Sequence, residues 1–92
     1  MLFMVIERFK GSEAVSRVYQ RFREKGRLMP EELRYIDSWI EPGFGRCFLL
    51  AECDDLRHVQ EWVLAWHDLV DFEIVPVVGS KETAETVAPA KP

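Results

Sequence analysis

Apolar residues in the first nine positions fall on both parities: Leu2, Met4 and Ile6 alternate with Phe3, Val5 and Phe9. Successive strand side chains point to opposite faces, so this segment reads as a strand apolar on both sides. Such a strand belongs in the middle of a sheet that is covered above and below. Arg46 to Cys53 repeats the pattern through Cys47-Phe48-Leu49-Leu50-Ala51 and predicts a second central strand. Leu33 to Ile40 alternates less cleanly, with Leu33, Tyr35, Asp37 and Trp39 on one side and Arg34, Ile36, Ser38 and Ile40 on the other. Asp71 to Val78 carries Pro76, and a proline inside a strand belongs at an edge or a bulge. These two strands therefore read as edges.

Two stretches have helical periodicity instead. In Glu13 to Lys25, Val15, Val18, Tyr19 and Phe22 recur at three- and four-residue spacing. From about Leu56 to His67 the apolar stripe is Leu56, Val59, Val63 and Trp66, with Trp62 beside it. Ser12 is positioned to cap the first helix, Gly26 to end it, and Asp54-Asp55 to cap the second. Pro30 breaks any helix after Gly26, which leaves Leu28 and Met29 as apolar loop residues expected under the sheet edge or against another subunit. Glu41-Pro42-Gly43-Phe44-Gly45 is turn chemistry, so the strand after it returns antiparallel. The basic run Arg17, Arg21, Arg23, Lys25 and Arg27 reads as a solvated helix face with its cations near the helix C-terminus.

The order of elements is βαββαβ, an α+β chain. Central first and third strands with second and fourth at the edges match the ferredoxin-like arrangement: an antiparallel four-stranded sheet in the order 4-1-3-2, with two helices on one face. Residues 1–79 form a single such domain, and 80–92 a polar C-terminal tail whose composition reads as disordered. Two helices cover one sheet face only. The other exposes on the order of 400 Å², as much as a monomer tolerates. Covering it contributes on the order of 10 kcal/mol per subunit before association costs. A homodimer through the open sheet face is expected, with the tail resting on the neighbouring subunit.

Composition sets bounds without naming a reaction. Ninety-two residues, 48% hydrophobic and 30% charged, suit one ordinary globular domain. A net charge of −4 and a pI near 5.1 argue against nucleic acid or an anionic membrane as partner. No apolar run approaches the ~20 residues that span a bilayer, and the apolar start lacks the features of a signal peptide, so a cytoplasmic protein is expected. Cys47 and Cys53 lie six residues apart in one extended stretch, roughly 20 Å, which is too far to bridge. They read as two buried thiols.

No metal or cofactor motif is present. His58 and His67 are nine residues apart and fall on opposite sides of a helix, and Asp54 with His58 is better read as a cap beside a solvent-facing histidine. The candidates for chemistry are polar and aromatic residues set in apolar strands and helices: Glu7, Tyr35, Trp39, Arg46, Glu52 and Trp66, with Trp62 adjacent. A buried carboxylate is costly unless paired. Glu7 either pairs with Arg46 at the strand ends, register permitting, or anchors a ligand in a cleft between sheet and helices. Catalytic residues are not identified.

Met1-Leu2-Phe3-Met4-Val5-Ile6-Glu7, Gly26-Arg27-Leu28-Met29-Pro30, Tyr35 with Ser38-Trp39, Arg46-Cys47-Phe48, Glu52, Trp62 with Trp66, and Asp68 to Glu73 followed by Pro76-Val77 resemble a family of short bacterial proteins catalogued as a domain of unknown function. The resemblance spans roughly residues 1 to 80 and implies a ferredoxin-like fold in the dimeric α/β-barrel superfamily. It carries no established activity. Relatives in that superfamily include cofactor-free monooxygenases, haem-degrading enzymes and muconolactone isomerases, so the fold alone favours no single function. Three functions follow as expectations. One is a small-molecule-binding or stress-response module with a cleft lined by Tyr35, Trp39, Glu52 and Trp66. Another is a cofactor-independent enzyme with Glu7 or Glu52 as base. The last is a purely structural or regulatory dimer without a pocket.

Overall fold

In the computed structural model, which describes residues 1–89, β1 (Leu2–Phe9) lies between β3 (Arg46–Glu52) and β4 (Val70–Val77) and runs antiparallel to both. β2 (Arg34–Ile40) pairs with the free edge of β3, giving the sheet order β2-β3-β1-β4. This is the ferredoxin-like order expected from composition, with the two doubly apolar strands at the centre. Pro76 sits on β4, an edge strand among the described residues, where a missing N–H is tolerated.

Register separates the two faces. Phe3 opposite Ala51 and Val5 opposite Leu49 point toward the helices, and all four are buried. Val59, Trp62 and Trp66 of α2 (Arg57–Trp66) close over them, and Val18 of α1 (Ala14–Lys25) packs at the margin of the same core. Phe72 of β4 meets Trp62 edge to face, with ring centroids 5.1 Å apart. Both helices thus lie on one face.

The other face carries Leu2, Met4, Ile6, Phe48, Leu50, Val75 and Val77 across the central strands and β4. Each is only half-buried. Ion pairs rim this apolar field: Arg8 with Glu73 at 2.9 Å, Arg34 with Glu52, and Arg46 with Glu41 at 2.8 Å.

Several local expectations are corrected. Ser12 caps nothing: the residue before α1 is Glu13, without a side-chain cap bond, and the turn closes instead through the Ala14 amide on the Gly11 carbonyl at 3.3 Å. The second cap does form, through Asp55, whose carboxylate accepts the Arg57 amide at 2.9 Å. α2 therefore starts one residue late, and Leu56 stands outside it, half-exposed, while Trp62 takes the central place in the stripe. Of the two apolar loop residues, Met29 packs on the core and Leu28 is exposed.

Part of the tail is ordered. Ser80–Thr86 forms a short helix, α3, where composition alone reads as disorder. Lys81, Glu82, Ala84 and Glu85 are good helix formers, and Glu82 lies at the positive end of the helix dipole. The Gly79 carbonyl accepts the Thr83 amide at 2.9 Å, and the Thr86 hydroxyl donates to the Glu82 carbonyl at 3.0 Å. α3 buries none of its residues. The end of the tail, 90–92, lies outside the described residues. Among the described residues no helix is long and apolar enough to cross a membrane.

Candidate functional site

α1 does not close onto the sheet along its whole length. Tyr19 and Phe22, which periodicity assigns to the core, are 42% and 37% exposed. Their rings instead form one wall of a cleft of about 140 Å³ between α1 and the sheet. Trp62 and Trp66 form the facing wall, Leu49 and Phe9 add apolar surface, and Ser38 and Arg27 stand at the polar margin. The polar groups of the floor are Glu7 of β1 and Cys47 of β3, which are directly opposed in the antiparallel register.

Arg27 is held in place by the backbone around it. Gly26 at φ 72° and Leu28 at φ 59° flank it, both in the left-handed region, which glycine enters freely and leucine only at a cost. This double reversal turns the Arg27 carbonyl back toward α2, where it accepts the indole N–H of both Trp62, at 3.2 Å, and Trp66, at 2.7 Å. The guanidinium lies 3.7 Å from the centre of the Tyr35 ring and 5.1 Å from that of Phe22. Arg21 does comparable work at the other end of the helix pair. It makes a two-pronged contact with Asp68 at 2.9 and 2.7 Å, donates to the Ala65 carbonyl at 2.8 Å and sits 5.3 Å from the Trp66 ring. The residue read as part of a solvated basic face is thus the brace between α1 and the end of α2.

Electrostatics single out the floor of the cleft. Burial pushes the Glu7 carboxyl up to about 7, although the Cys47 thiol and the Arg27 charge pull the other way. Burial also pushes the Cys47 thiol up to about 12, helped by the negative charge on Glu7. Cys47 is therefore a thiol, not a thiolate, at neutral pH. The Tyr19 hydroxyl is raised by burial and by the same two neighbours. At pH 7 the floor offers a carboxyl close to half-ionised, able to donate or accept a proton.

The six candidate residues do not assemble in one place. Glu7 is on the floor and Trp66 in the wall. Tyr35 stands behind Arg27, its hydroxyl bonded to the Ser38 hydroxyl at 2.8 Å. Trp39 is on the opposite, open face, across from Phe48 and 51% exposed. Simple alternation groups Trp39 with Tyr35; a break in register between Tyr35 and Asp37 puts Ser38, not Trp39, on the cleft side. Glu52 also faces the open side, where Arg34 holds it. Arg46 is opposite Arg8, one position past Glu7 and on the other face, so the Glu7–Arg46 pair does not form. It grips Glu41 through two bonds of 2.8 and 3.0 Å instead. Cys47, Arg27, Tyr19, Phe22 and Ser38 are cleft residues that the candidate set lacked; parity along β3 opposite Glu7 was the one signal for Cys47. His58 lies elsewhere, its buried Nδ1 without a hydrogen-bond partner and 3.5 Å from Glu61. Among the described residues no cluster of three or more histidine, cysteine or acidic side chains could hold a metal ion.

The chain belongs to the family described as "Domain of unknown function (DUF3303)", whose model matches residues 1–91. No curated protein and no solved structure matches it.

Proposed function

We propose that this domain binds a small molecule in the cleft between α1 and the sheet, as a binding or stress-response module, with Glu7 as the polar anchor. The observation that carries this reading is the contrast between the two candidate carboxylates, Glu7 and Glu52. Glu52 is neutralised by Arg34 on the far face, whereas Glu7 sits at the floor of an aromatic cleft with no arginine paired to it among the described residues. A carboxyl desolvated in a concave, mostly apolar site is the usual mark of ligand chemistry. A cleft of this kind also favours binding over a purely structural or regulatory role.

The test is a thermal-shift ligand screen on the wild type, Glu7→Gln and Trp39→Ala. Genuine cleft ligands raise the melting temperature of the wild type and of Trp39→Ala, and lose most of that gain in Glu7→Gln. Hits that ignore Glu7 and depend on Trp39 would move the site to the open face and overturn the reading.

A second reading is favoured by the same carboxyl. A base with a pKa near 7 is matched to proton abstraction at neutral pH. A cofactor-independent reaction of the monooxygenase or isomerase type, with Glu7 as general base, is the enzymatic alternative. Under either reading we propose that the protein is a member of the dimeric α/β-barrel superfamily, acts in the cytoplasm and pairs with a second copy of itself; the apolar field of Met4, Ile6, Phe48 and Leu50 supports the pairing.

A further inference from the structure

We infer that the ligand of the cleft is a single-ring aromatic carboxylate, its ring between the aromatic walls and its anionic group on the Arg27 guanidinium. This rests on the cleft being a small-molecule site and names what enters it.

Three observations lead there. The first is size. A cavity of roughly 150 Å³ accepts one benzene ring, and this cleft has a volume of about 140 Å³. A bicyclic or polymeric ligand would have to leave most of its surface outside. The second is the wall chemistry: Tyr19, Phe22, Trp62 and Trp66 offer π faces and edges on two sides, which favours a flat apolar body over a branched or heavily hydroxylated one.

The third is charge. Arg8, Arg17, Arg21, Arg34, Arg46 and Arg57 each hold a carboxylate. Arg23 and Arg27 hold none among the described residues, and of these two it is Arg27 that lines the cleft, its guanidinium over the Tyr35 ring. Its guanidinium carbon stands 3.7 Å from the centre of the Tyr35 ring, a contact that uses no N–H donor, and among the described residues its N–H groups make no hydrogen bond to a protein group. A guanidinium presents a fork that matches a carboxylate through two parallel hydrogen bonds. The charge on Arg27 is permanent, while Glu7 is close to half-neutral at pH 7, so the positive partner dominates the site. Glu7 then meets a second polar substituent of the ring, accepting from a hydroxyl or donating to a carbonyl.

The indole N–H signals of Trp62 and Trp66 report on the cleft directly, because both are fixed on the Arg27 carbonyl. The experiment is an NMR titration of the ¹⁵N-labelled full chain at pH 7 with sodium benzoate, benzamide and benzylamine, repeated on Arg27→Gln. The substituted side chain leaves the main-chain carbonyl in place, so both indole bonds survive and the variant keeps its fold. Benzoate is expected to move both indole signals and to bind at least tenfold more tightly than benzamide, with the preference shrinking to within about twofold in Arg27→Gln. Benzamide or benzylamine binding as tightly as benzoate overturns the anion assignment and leaves the cleft as a ring-binding site. Benzoate binding equally well to Arg27→Gln overturns it too. If none of the three probes shifts the indole signals at millimolar concentration, the ring-sized ligand falls, and with it the assignment; the thermal-shift screen with Glu7→Gln then decides the broader binding reading separately.

Discussion

Glu7 and Cys47 stand directly across from each other on adjacent antiparallel strands, both turned into the space that α1 leaves uncovered. Burial makes both harder to ionise; the Glu7 carboxylate raises the Cys47 thiol further, while the thiol, bonding to the carboxylate, partly offsets the rise at Glu7. Of the two, Glu7 is the group that changes charge near neutral pH.

Stability should fall between about pH 4.5 and 7 for this reason. The unfolded chain releases the Glu7 proton near its ordinary value of 4.5 and the folded chain only near 7. Between those values the native state binds more protons, so the stabilisation present at low pH is lost as pH rises through 7. The shift corresponds to about 3 kcal/mol. Urea melts across this range should show that slope, and Glu7→Gln should flatten it and be the more stable protein above pH 7. A wild-type curve with no slope attributable to Glu7 would remove the desolvated carboxyl.

Cys47 should resist alkylation. With its thiol pushed up to about 12, almost no thiolate exists at pH 8. Mass spectrometry after iodoacetamide treatment of the native protein should find Cys47 far less modified than a free cysteine peptide. Glu7→Gln, which removes the adjacent negative charge, should speed the reaction severalfold.

Arg21→Ala should destabilise the domain by about 0.5–2 kcal/mol, because the ion pair to Asp68 is solvent-exposed and contributes little while the bond to the Ala65 carbonyl is partly buried. Arg21 joins Asp68, the Ala65 carbonyl and the Trp66 ring at once, and a lysine cannot reproduce the two-pronged contact. Arg21→Lys should therefore recover only part of the loss in chemical denaturation.

Leu28→Gly should stabilise the fold slightly or leave it unchanged, against the usual effect of introducing glycine. The left-handed backbone at Leu28 costs roughly 1–2 kcal/mol for an L-residue with a Cβ, which offsets the extra entropy that glycine brings to the unfolded chain. A loss of more than a few degrees in melting temperature would show that the exposed leucine side chain makes a contribution its surroundings do not suggest.

Leu50→Glu should abolish self-association if two copies meet through the sheet. Leu50 lies in the middle of the uncovered face, opposite Met4, so a charge there meets its own twin across the interface. Sedimentation velocity of wild type and variant at micromolar concentration checks this; a wild type that sediments as a monomer contradicts the pairing.

The sheet was readable in the sequence because central strands that are apolar on both sides leave a mark at every residue. Met4, Val5 and Ile6 in succession cannot be an edge, and Pro76 cannot be a centre. The site was readable only in part, because its residues are set by single-residue shifts that alternation does not record. Glu7 and Trp66 were visible as a polar residue in an apolar strand and an aromatic on an apolar stripe. Trp39 misled because the irregularity near Ile36 reverses the parity of everything after it in β2. Arg27 was hidden among other cations: nothing local distinguishes it from Arg23, and its role follows from where the Gly26–Leu28 reversal aims its carbonyl. Ionic partners such as Arg34 for Glu52 follow from cross-strand register, which the chain alone does not announce.

The seam along α1 has a thermodynamic meaning of its own. Two aromatic rings left in contact with solvent, and a void beneath them, are defects that a larger side chain at Val18 would repair, and such repairs commonly raise stability by about 0.5–2 kcal/mol. A fold under pressure for persistence alone would have zipped the helix shut. The seam is thus the part of the molecule where tolerance of a weakness and usefulness coincide, and variants selected for heat resistance should be found to have lost it first.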